Sequence, residues 1–322
     1  MRFIIYGAGA VGGVIGGRLA QHGYDVVLIA RGAHREAIAA NGLTVLSPDG
    51  EAHISVPVAG HPSEIVFQPG DAVLLCMKTN DTLAALDALV ATAPVETAIV
   101  CVQNGVENER LAARRFPNVY AVPVRLPSTH LEPGIVQANG TPRSGVLDIG
   151  RYPLGTDSVC EEISAALAAS NFSSFPEPHA MRHKYTKLLM NLGNAIDAIC
   201  GPVPRPAGLH ERAKEEAVAC YTAAGIQFVS DEIDLARRGE HYRVRPIAGR
   251  QRSGGSTYQS LVRGKREVEV DYLNGEIVLL GRVHGVPTPV NLVLQAVSNR
   301  MAREGLAPGA LSGDELLAMI RS

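Results

Sequence analysis

Three polar residues follow one another along a predicted helix: Lys187, Asn191 and Asn194. At about 100° per residue, Asn191 is offset by about 40° from Lys187 and Asn194 by about 20° in the other direction, so the three form one stripe. Apolar residues flank this stripe on both sides. A lysine in such surroundings either extends its ammonium group to solvent or faces a polar cleft. In a cleft its pKa shifts readily, and it can act as a general acid or base.

Two further polar segments lie downstream of this helix. Residues 269–275 read EVDYLNG at the start of a predicted helix, and residues 256–260 read STYQS after two glycines. Carboxylates and hydroxyls at such positions either bind a ligand or cap the helix. His179 and His183 have the i,i+4 spacing of zinc ligands, but no third ligand is evident, so we predict no metal site.

The N-terminus joins an apolar run to a glycine-rich turn. Residues 3–6, FIIY, predict a buried parallel strand, and a helical pattern follows the turn. The glycine spacing indicates a tight turn at Gly7, close approach of a pyrophosphate at Gly9 and close helix–strand packing at Gly12. We therefore predict a dinucleotide site. Its predicted contacts are Gly7, Ala8, Gly9, Ala10, Val11 and Gly12.

A second strand is predicted at residues 25–29, and it ends in Ala30-Arg31. Many NAD sites place an acidic residue here to bind the ribose 2′-hydroxyl. A guanidinium at this position favours a 2′-phosphate instead, so the sequence indicates NADP(H) rather than NAD(H). The alternative is that Arg31 is an ordinary solvated surface residue.

Further apolar runs at residues 72–77, 98–102 and 119–124 predict more parallel strands alternating with helices. The first of these ends at Lys78 and the second at Asn104. Because ligands bind at the carboxyl ends of the strands of such a sheet, both residues are expected to line one crevice with the glycine turn.

The remaining pattern predicts two domains. A hairpin is predicted at residues 43–56, shorter strands at 134–138 and 145–149, and a domain boundary within residues 172–178. Beyond it the pattern turns helical, beginning with one long helix over residues 180–200. The predicted fold is α/β, with an N-terminal Rossmann-type doubly wound sheet in residues 1–176 and an all-α C-terminal domain in residues 177–322.

Composition limits the partners that this chain can have. The chain has 322 residues and a net charge of −2, which argues against nucleic acid and against electrostatic binding to a membrane. No apolar run approaches the roughly 20 residues that span a bilayer. The five cysteines form no C-x-x-C pair, so they indicate reduced thiols and a cytoplasmic protein.

Taken together, these motifs resemble those of the ketopantoate reductases (2-dehydropantoate 2-reductases), over nearly the whole chain. The matching elements are GAGAVG at residues 7–12, Arg31, Lys78 in CMKTND, Asn104 in QNG, Lys187 and Asn191 in K-x-x-x-N, and EVDYLNG at residues 269–275. The resemblance implies a Rossmann domain that binds NADPH, a helical C-terminal domain and an active site in the cleft between them. Separately, the helical domain is expected to hold the substrate and the contacts of a homodimer.

The resemblance also assigns roles to individual residues. Lys187 is expected to be the general acid that protonates the ketone oxygen of a 2-oxo acid, in a step of pantothenate biosynthesis. Glu269 is expected to be the second catalytic residue, to lie near this lysine and to contact the substrate. The other expected substrate contacts are Asn104, Asn191, Asn194 and Thr257, and the expected cofactor contacts besides the glycine turn are Arg31, Lys78 and Asn104.

The sequence departs from the family pattern at substrate positions. Ala195 stands where a second asparagine is usual, and the usual S-x-x-Q-D reads S-T-Y-Q-S at residues 256–260, with Thr257 in the place of a serine. Asn194 is expected to substitute for the missing asparagine. Two alternatives to ketopantoate reduction therefore stay open: reduction of a different 2-oxo acid or ketone, and a non-catalytic NADP(H) sensor.

Overall fold

The computed structural model describes residues 1–201, 208–239, 241–247 and 254–321. These residues form two compact units. The first contains residues 1–184 and the described part of 229–251, and the second contains the described parts of 185–228 and 252–322. This division differs from the predicted boundary between residues 176 and 177. The difference arises because residues 177–184 and the segment after residue 229 pack with the first unit.

The first unit contains a seven-stranded sheet and two smaller sheets. Its strands are β1 (Arg2–Tyr6), β2 (Val26–Ile29), β3 (Leu43–Ser47), β4 (Gly50–Ile54), β5 (Val58–Ala59), β6 (Asp71–Leu75), β7 (Ala98–Cys101), β8 (Val119–Ala121), β9 (Ser128–Thr129), β10 (Ile135–Ala138), β11 (Gly140–Pro142), β12 (Gly150–Arg151) and β13 (Tyr242–Val244). The large sheet has the order β12-β8-β7-β6-β1-β2-β5, and every neighbouring pair is parallel except β12 and β8.

Helices cover both faces of the large sheet. They are α1 (Ala10–Gln21), α2 (Gly32–Asn41), α3 (Thr79–Val90), α4 (Asn108–Ala113) and α5 (Ser158–Ala169). Because successive side chains of a strand point to opposite faces, Phe3 and Ile5 of β1 lie in one core cluster, with residues of α1 and α5. Ile4 and Tyr6 lie in a second cluster, with residues of α3 and α4. The predicted doubly wound Rossmann-type fold is confirmed.

Helix α1 packs between the large sheet and a second sheet of order β4-β3-β10-β9. A Cβ added at Gly16 would lie 2.5 Å from a Leu28 methyl carbon on the large sheet. A Cβ added at Gly17 would lie 2.6 Å from a Val45 methyl carbon on the second sheet. Gly16 on one side of α1 and Gly17 on the other therefore allow both sheets to pack closely against this helix. The predicted hairpin at residues 43–56 forms the antiparallel pair β3–β4 of this second sheet.

One prediction about the middle of the chain is wrong. Residues 145–149 form only isolated bridges rather than a regular strand. Residues 172–178, where the sequence analysis expects the domain boundary, run beside residues 145–149 and exchange backbone hydrogen bonds with them, such as Leu147 N–H to Ser173 O at 2.8 Å. The apolar residues Leu147 and Ile149 are fully buried, as the strand pattern indicated. The segment nevertheless lacks the continuous hydrogen-bond ladder of a regular strand.

The remaining helices are α6 (Ala180–Asn191), α7 (Gly193–Cys200), α8 (Leu209–Ala223), α9 (Asp231–Gly239), α10 (Ser256–Val262), α11 (Asn274–His284), α12 (Pro289–Glu304) and α13 (Gly313–Arg321). The long helix predicted over residues 180–200 is interrupted at Leu192, although this residue keeps helical dihedral angles. Its carbonyl accepts a hydrogen bond from Asn274 Nδ2 at 3.3 Å, and such side-chain donors commonly interrupt the helical ladder. None of the described helices combines the length and the apolar character needed to cross a bilayer.

The second unit is helical, as predicted, and a buried polar cluster organises it. The Glu216 carboxylate accepts hydrogen bonds from the backbone N–H groups of Val290 and Asn291, at 2.8 and 3.0 Å, and so caps the start of α12. The Asn291 side chain in turn donates to Ala213 O and accepts from Asn274. This cluster fixes α8, α11 and α12 against one another.

Residues 229–247 belong to the first unit, although the sequence places them in the predicted helical half. Strand β13 pairs with β11, so the region beyond residue 177 is not entirely helical. On α9, the buried carboxylate of Asp234 pairs with Arg125, which is fully buried, and with Arg238 at 2.7 Å. Arg237 pairs with Asp148 at 2.5 Å. Long-range ion pairs therefore attach this segment, and the sequence pattern does not reveal them.

The buried position of Asp234 gives a stability prediction. We expect Asp234→Asn to lower the free energy of unfolding by about 3–5 kcal/mol, because it leaves the buried Arg125 guanidinium without its carboxylate. Urea denaturation measures this loss, and Glu232→Gln, an exposed carboxylate on the same helix, is the matched control. Equal stability of the two variants would show that the pair contributes nothing.

Candidate active site

The glycine turn that follows β1 has the geometry that its spacing predicts. Gly7 has a φ of +98°, and a Cβ there would lie 2.8 Å from the Met77 backbone nitrogen. A Cβ on Gly12 would lie 2.8 Å from the Cys76 Cβ, so this glycine permits close packing of α1 on the sheet. A Cβ on Gly9 would meet no heavy atom within 4 Å. The open space is therefore at Gly9, beside the N-terminus of α1, where an anionic pyrophosphate would fit.

The rest of this turn is held by the neighbouring strand. The N–H groups of Gly7 and Ala8 both donate to the carbonyl of Ile29, at 3.1 and 3.0 Å. Ala8 is buried, whereas Ala10 and Val11 are half-buried in the first turn of α1. The structure thus brings the predicted phosphate-binding residues together at the carboxyl end of β1.

Three basic residues follow β2, and they have different surroundings. Arg31 is exposed at the residue before α2 and lies beside the Tyr6 hydroxyl, at the carboxyl end of β1. Burial raises the pKa of this hydroxyl, and Arg31 opposes the rise. Arg35 is paired with Glu64 at 2.8 Å, and His34 faces the glycine turn. Arg31 is therefore the better placed of the two arginines to meet a ligand in the turn.

Lys78 and Asn104 lie three residues beyond the ends of two adjacent strands of the large sheet, β6 and β7, and so at the carboxyl edge where the sequence analysis expects them. Lys78 is half-buried and precedes the first residue of α3. Asn104 is also half-buried, and its backbone carbonyl accepts a hydrogen bond from Asn108 Nδ2 at 3.1 Å.

A buried polar network joins the loops that carry Lys78 and Asn104, and the sequence analysis did not identify it. Gln103 Nε2 donates to Met77 O at 3.0 Å and to Thr82 Oγ1 at 2.7 Å. Asn108 accepts from Thr82 at 2.8 Å and donates to Thr79 Oγ1 at 3.2 Å. The runs KTNDT and QNGVEN, which follow two apolar strands, are the signal that could have indicated such a network.

In the second unit, the stripe on α6 is partly buried. Lys187 is half-buried, and Asn191 is 5% exposed. The amide nitrogen of Asn191 has no hydrogen-bond partner within the described residues. Since a buried donor without a partner costs about 1–3 kcal/mol, Asn191 is suited to donate a hydrogen bond to a bound polar molecule.

The two downstream segments are not explained by helix capping. Thr257 is 3% exposed in the first turn of α10, and that helix begins after Gly255 without a side-chain cap. Glu269 is 6% exposed in a short 3-10 turn, which also lacks a side-chain cap. The neighbouring Asp271 instead accepts hydrogen bonds from two residues of α12. Both Thr257 and Glu269 are therefore buried polar groups whose presence capping does not account for.

Asn194, the expected substitute for the missing asparagine, is bonded within the protein. Its Nδ2 donates to Ser256 Oγ at 3.3 Å, and its Oδ1 would lie 2.5 Å from a Cβ added at Gly255. It therefore packs against the start of α10. Ala195 is buried, at 1% exposure.

Within the described ranges, no three His, Cys, Asp or Glu side chains are grouped to hold a metal ion. His183 faces Glu177, at 3.5 Å, and Arg125, at 3.4 Å. Burial, followed by the charge of Arg125, lowers the pKa of His183.

Comparison with known proteins shows which family this chain belongs to. The family model described as ketopantoate reductase PanE/ApbA matches residues 3–153, and its C-terminal counterpart matches residues 179–302. The chain belongs to the ketopantoate reductase family. It is 30% identical to a 2-dehydropantoate 2-reductase of Caulobacter vibrioides, covering 92% of this chain and 98% of that protein. It is 28% identical to one of Halobacterium salinarum, covering 95% and 100%.

Solved structures agree with this membership. A PanE/ApbA family ketopantoate reductase from Ralstonia eutropha has a TM-score of 0.79 at 31% identity, covering 95% of this chain and 99% of that one. A D-mandelate dehydrogenase with NADH and anilino(oxo)acetate has the same fold, with a TM-score of 0.79 at 22% identity and the same coverage. The protein is thus an oxidoreductase that resembles 2-dehydropantoate 2-reductases, from a family that uses NAD(P).

Proposed function

We propose that this protein reduces 2-dehydropantoate to pantoate with NADPH. The observation that carries the proposal is the match of both halves of the chain, in order, to the two ketopantoate reductase family models. The relatives that match nearly the full length are named 2-dehydropantoate 2-reductases. The predicted homodimer and the cytoplasmic location stay predictions.

Residues of the first unit support the choice of cofactor. The open space at Gly9 and the N-terminus of α1 suit the pyrophosphate. Arg31 would bind the 2′-phosphate, because it is exposed at the carboxyl end of β2, where an acidic residue would select NAD(H). Lys78 and Asn104 would contact the nicotinamide end of the cofactor.

Residues of the second unit support the chemistry. The nicotinamide supplies the hydride when it is bound. Lys187 would donate a proton to the ketone oxygen and would stabilise the negative charge that develops there, an interaction stronger in the transition state than in the ground state. Glu269 would orient the lysine and the substrate, and Asn191 and Thr257 would hold the substrate by hydrogen bonds.

A second candidate is reduction of a different 2-oxo acid by the same chemistry. Ala195 replaces a family asparagine and is buried, and the neighbouring Asn194 is already bonded to Ser256. Ala195 itself cannot supply the hydrogen bond that an asparagine at this position would give, so the substrate contacts here would differ from the family pattern.

Steady-state NADPH oxidation against a panel of 2-oxo acids tests the proposal. We expect the highest kcat/KM for 2-dehydropantoate. A bulkier or aromatic 2-oxo acid that exceeds it would support the second candidate. NADPH binding without turnover of any ketone would make the protein a non-catalytic sensor and would contradict both candidates.

The general-acid role of Lys187 has its own test. We expect Lys187→Ala to lower turnover by about 10²-fold or more, the usual scale for a lost general acid, while NADPH affinity stays near that of the wild type. Lys265→Ala, which removes an exposed lysine of the same unit, is the control. Turnover that is unchanged in Lys187→Ala would refute the role.

The arginine pair after β2 tests the cofactor preference. We expect Arg31→Ala to weaken NADPH binding by about tenfold or more and NADH binding little, because only NADPH carries the 2′-phosphate that Arg31 would bind. Arg35→Ala is the matched control, since Arg35 is paired with Glu64. Fluorescence titration gives the dissociation constants of each variant for NADPH and for NADH. An equal loss of affinity for the two cofactors in Arg31→Ala would show that Arg31 does not bind the 2′-phosphate.

A further inference from the structure

His34, in the first turn of α2, joins the glycine turn to a distant loop. Its Nε2 lies 2.7 Å from the carbonyl oxygen of Ala8, and its Nδ1 lies 2.9 Å from the backbone nitrogen of Gly134. The His130 ring packs against it, with ring centroids 4.1 Å apart. One imidazole therefore bridges the turn after β1 and the loop before β10.

These two contacts define the form of the ring. The Ala8 carbonyl can only accept a hydrogen bond, so Nε2 must carry the proton. The Gly134 N–H can only donate, so Nδ1 must be unprotonated. His34 is thus the neutral Nε2–H tautomer, in agreement with a pKa that burial lowers against the opposing effect of the Ala8 carbonyl.

The Ala8 carbonyl and the Gly9 N–H belong to the same peptide unit. Because this unit is planar and trans, its carbonyl and N–H point in opposite directions. A hydrogen bond that holds the Ala8 oxygen towards His34 therefore directs the Gly9 N–H away from it. Gly9 is also the residue of the turn with open space at its Cα.

We propose that His34 is a positioning residue for the dinucleotide: by holding the Ala8 carbonyl, it orients the Gly9 N–H towards the cofactor pyrophosphate. This role deepens the proposed function and rests on it. His34 itself does not touch the cofactor. It acts by fixing in advance a peptide that the turn, with glycines on both sides of Ala8, would otherwise leave free to rotate.

Two variants of nearly equal size separate this role from simple packing. Methionine at position 34 fills similar space but can neither donate nor accept in this way. The glutamine amide has an NH2 group that can donate and a carbonyl oxygen that can accept, and so can replace both hydrogen bonds of the neutral imidazole. We expect His34→Met to raise the dissociation constant for NADPH by about tenfold, the scale of one lost oriented hydrogen bond, and His34→Gln to restore most of the affinity. His34→Ala also removes both hydrogen bonds, and it does so without placing a long side chain beside the glycine turn, so its NADPH affinity is expected to fall as well.

Further measurements show whether the effect is specific. The KM for NADPH is expected to rise in His34→Met, while kcat at saturating NADPH stays within about twofold of the wild type. Urea denaturation reports folding of each variant, and His53→Met, at an exposed histidine of the same unit, is the control.

The outcomes distinguish this proposal from the proposed function. Wild-type affinity for NADPH in folded His34→Met and His34→Ala would overturn the positioning role, and so would a failure of His34→Gln to restore affinity. If the wild-type protein itself bound no NADPH, the proposed function would fail, and the positioning role would fail with it.

Discussion

The structure of the first unit depends on how closely α1 approaches two sheets. Glycines at positions 12 and 16 allow the large sheet to contact one side of this helix, and glycines at positions 13 and 17 allow the second sheet to contact the other. A helix held on both sides has a fixed N-terminus. The dinucleotide turn leads directly into that N-terminus, so the packing of α1 determines where its free N–H groups and its positive dipole end are presented.

The loops at the carboxyl ends of the strands are held in place by hydrogen bonds to neighbouring parts of the first unit. The Ile29 carbonyl binds two N–H groups of the glycine turn, and His34 binds its Ala8 carbonyl. Gln103 and Asn108 link the loops after β6 and β7 through buried hydrogen bonds. Such contacts limit the conformations that these loops can adopt, and a site whose loops are fixed in advance needs less reorganisation when it binds a ligand.

The second unit combines a rigid interior with polar groups that are buried but not used for capping. Glu216 and Asn291 fix three helices against one another. The side-chain nitrogen of Asn191 is buried and has no hydrogen-bond partner in the described part of the chain. Proteins rarely bury such a donor unless something satisfies it, which is consistent with a ligand-binding role. Asn194 donates a hydrogen bond to Ser256 at the start of α10, and its expected contact with the substrate stays a prediction.

The sequence alone determined the features that depend on local pattern. Apolar runs with alternating helices predicted the doubly wound sheet, and the glycine spacing predicted the turn at residues 7–12, because strand burial and tight turns restrict residue types locally. Tertiary structure decided the rest. The return of residues 229–247 to the first unit depends on Arg125 and Asp234, which are 109 residues apart, and the role of His34 depends on Gly134, 100 residues away. No local pattern carries such pairings, because a side chain's partner is chosen by the folded neighbourhood and not by its sequence neighbours.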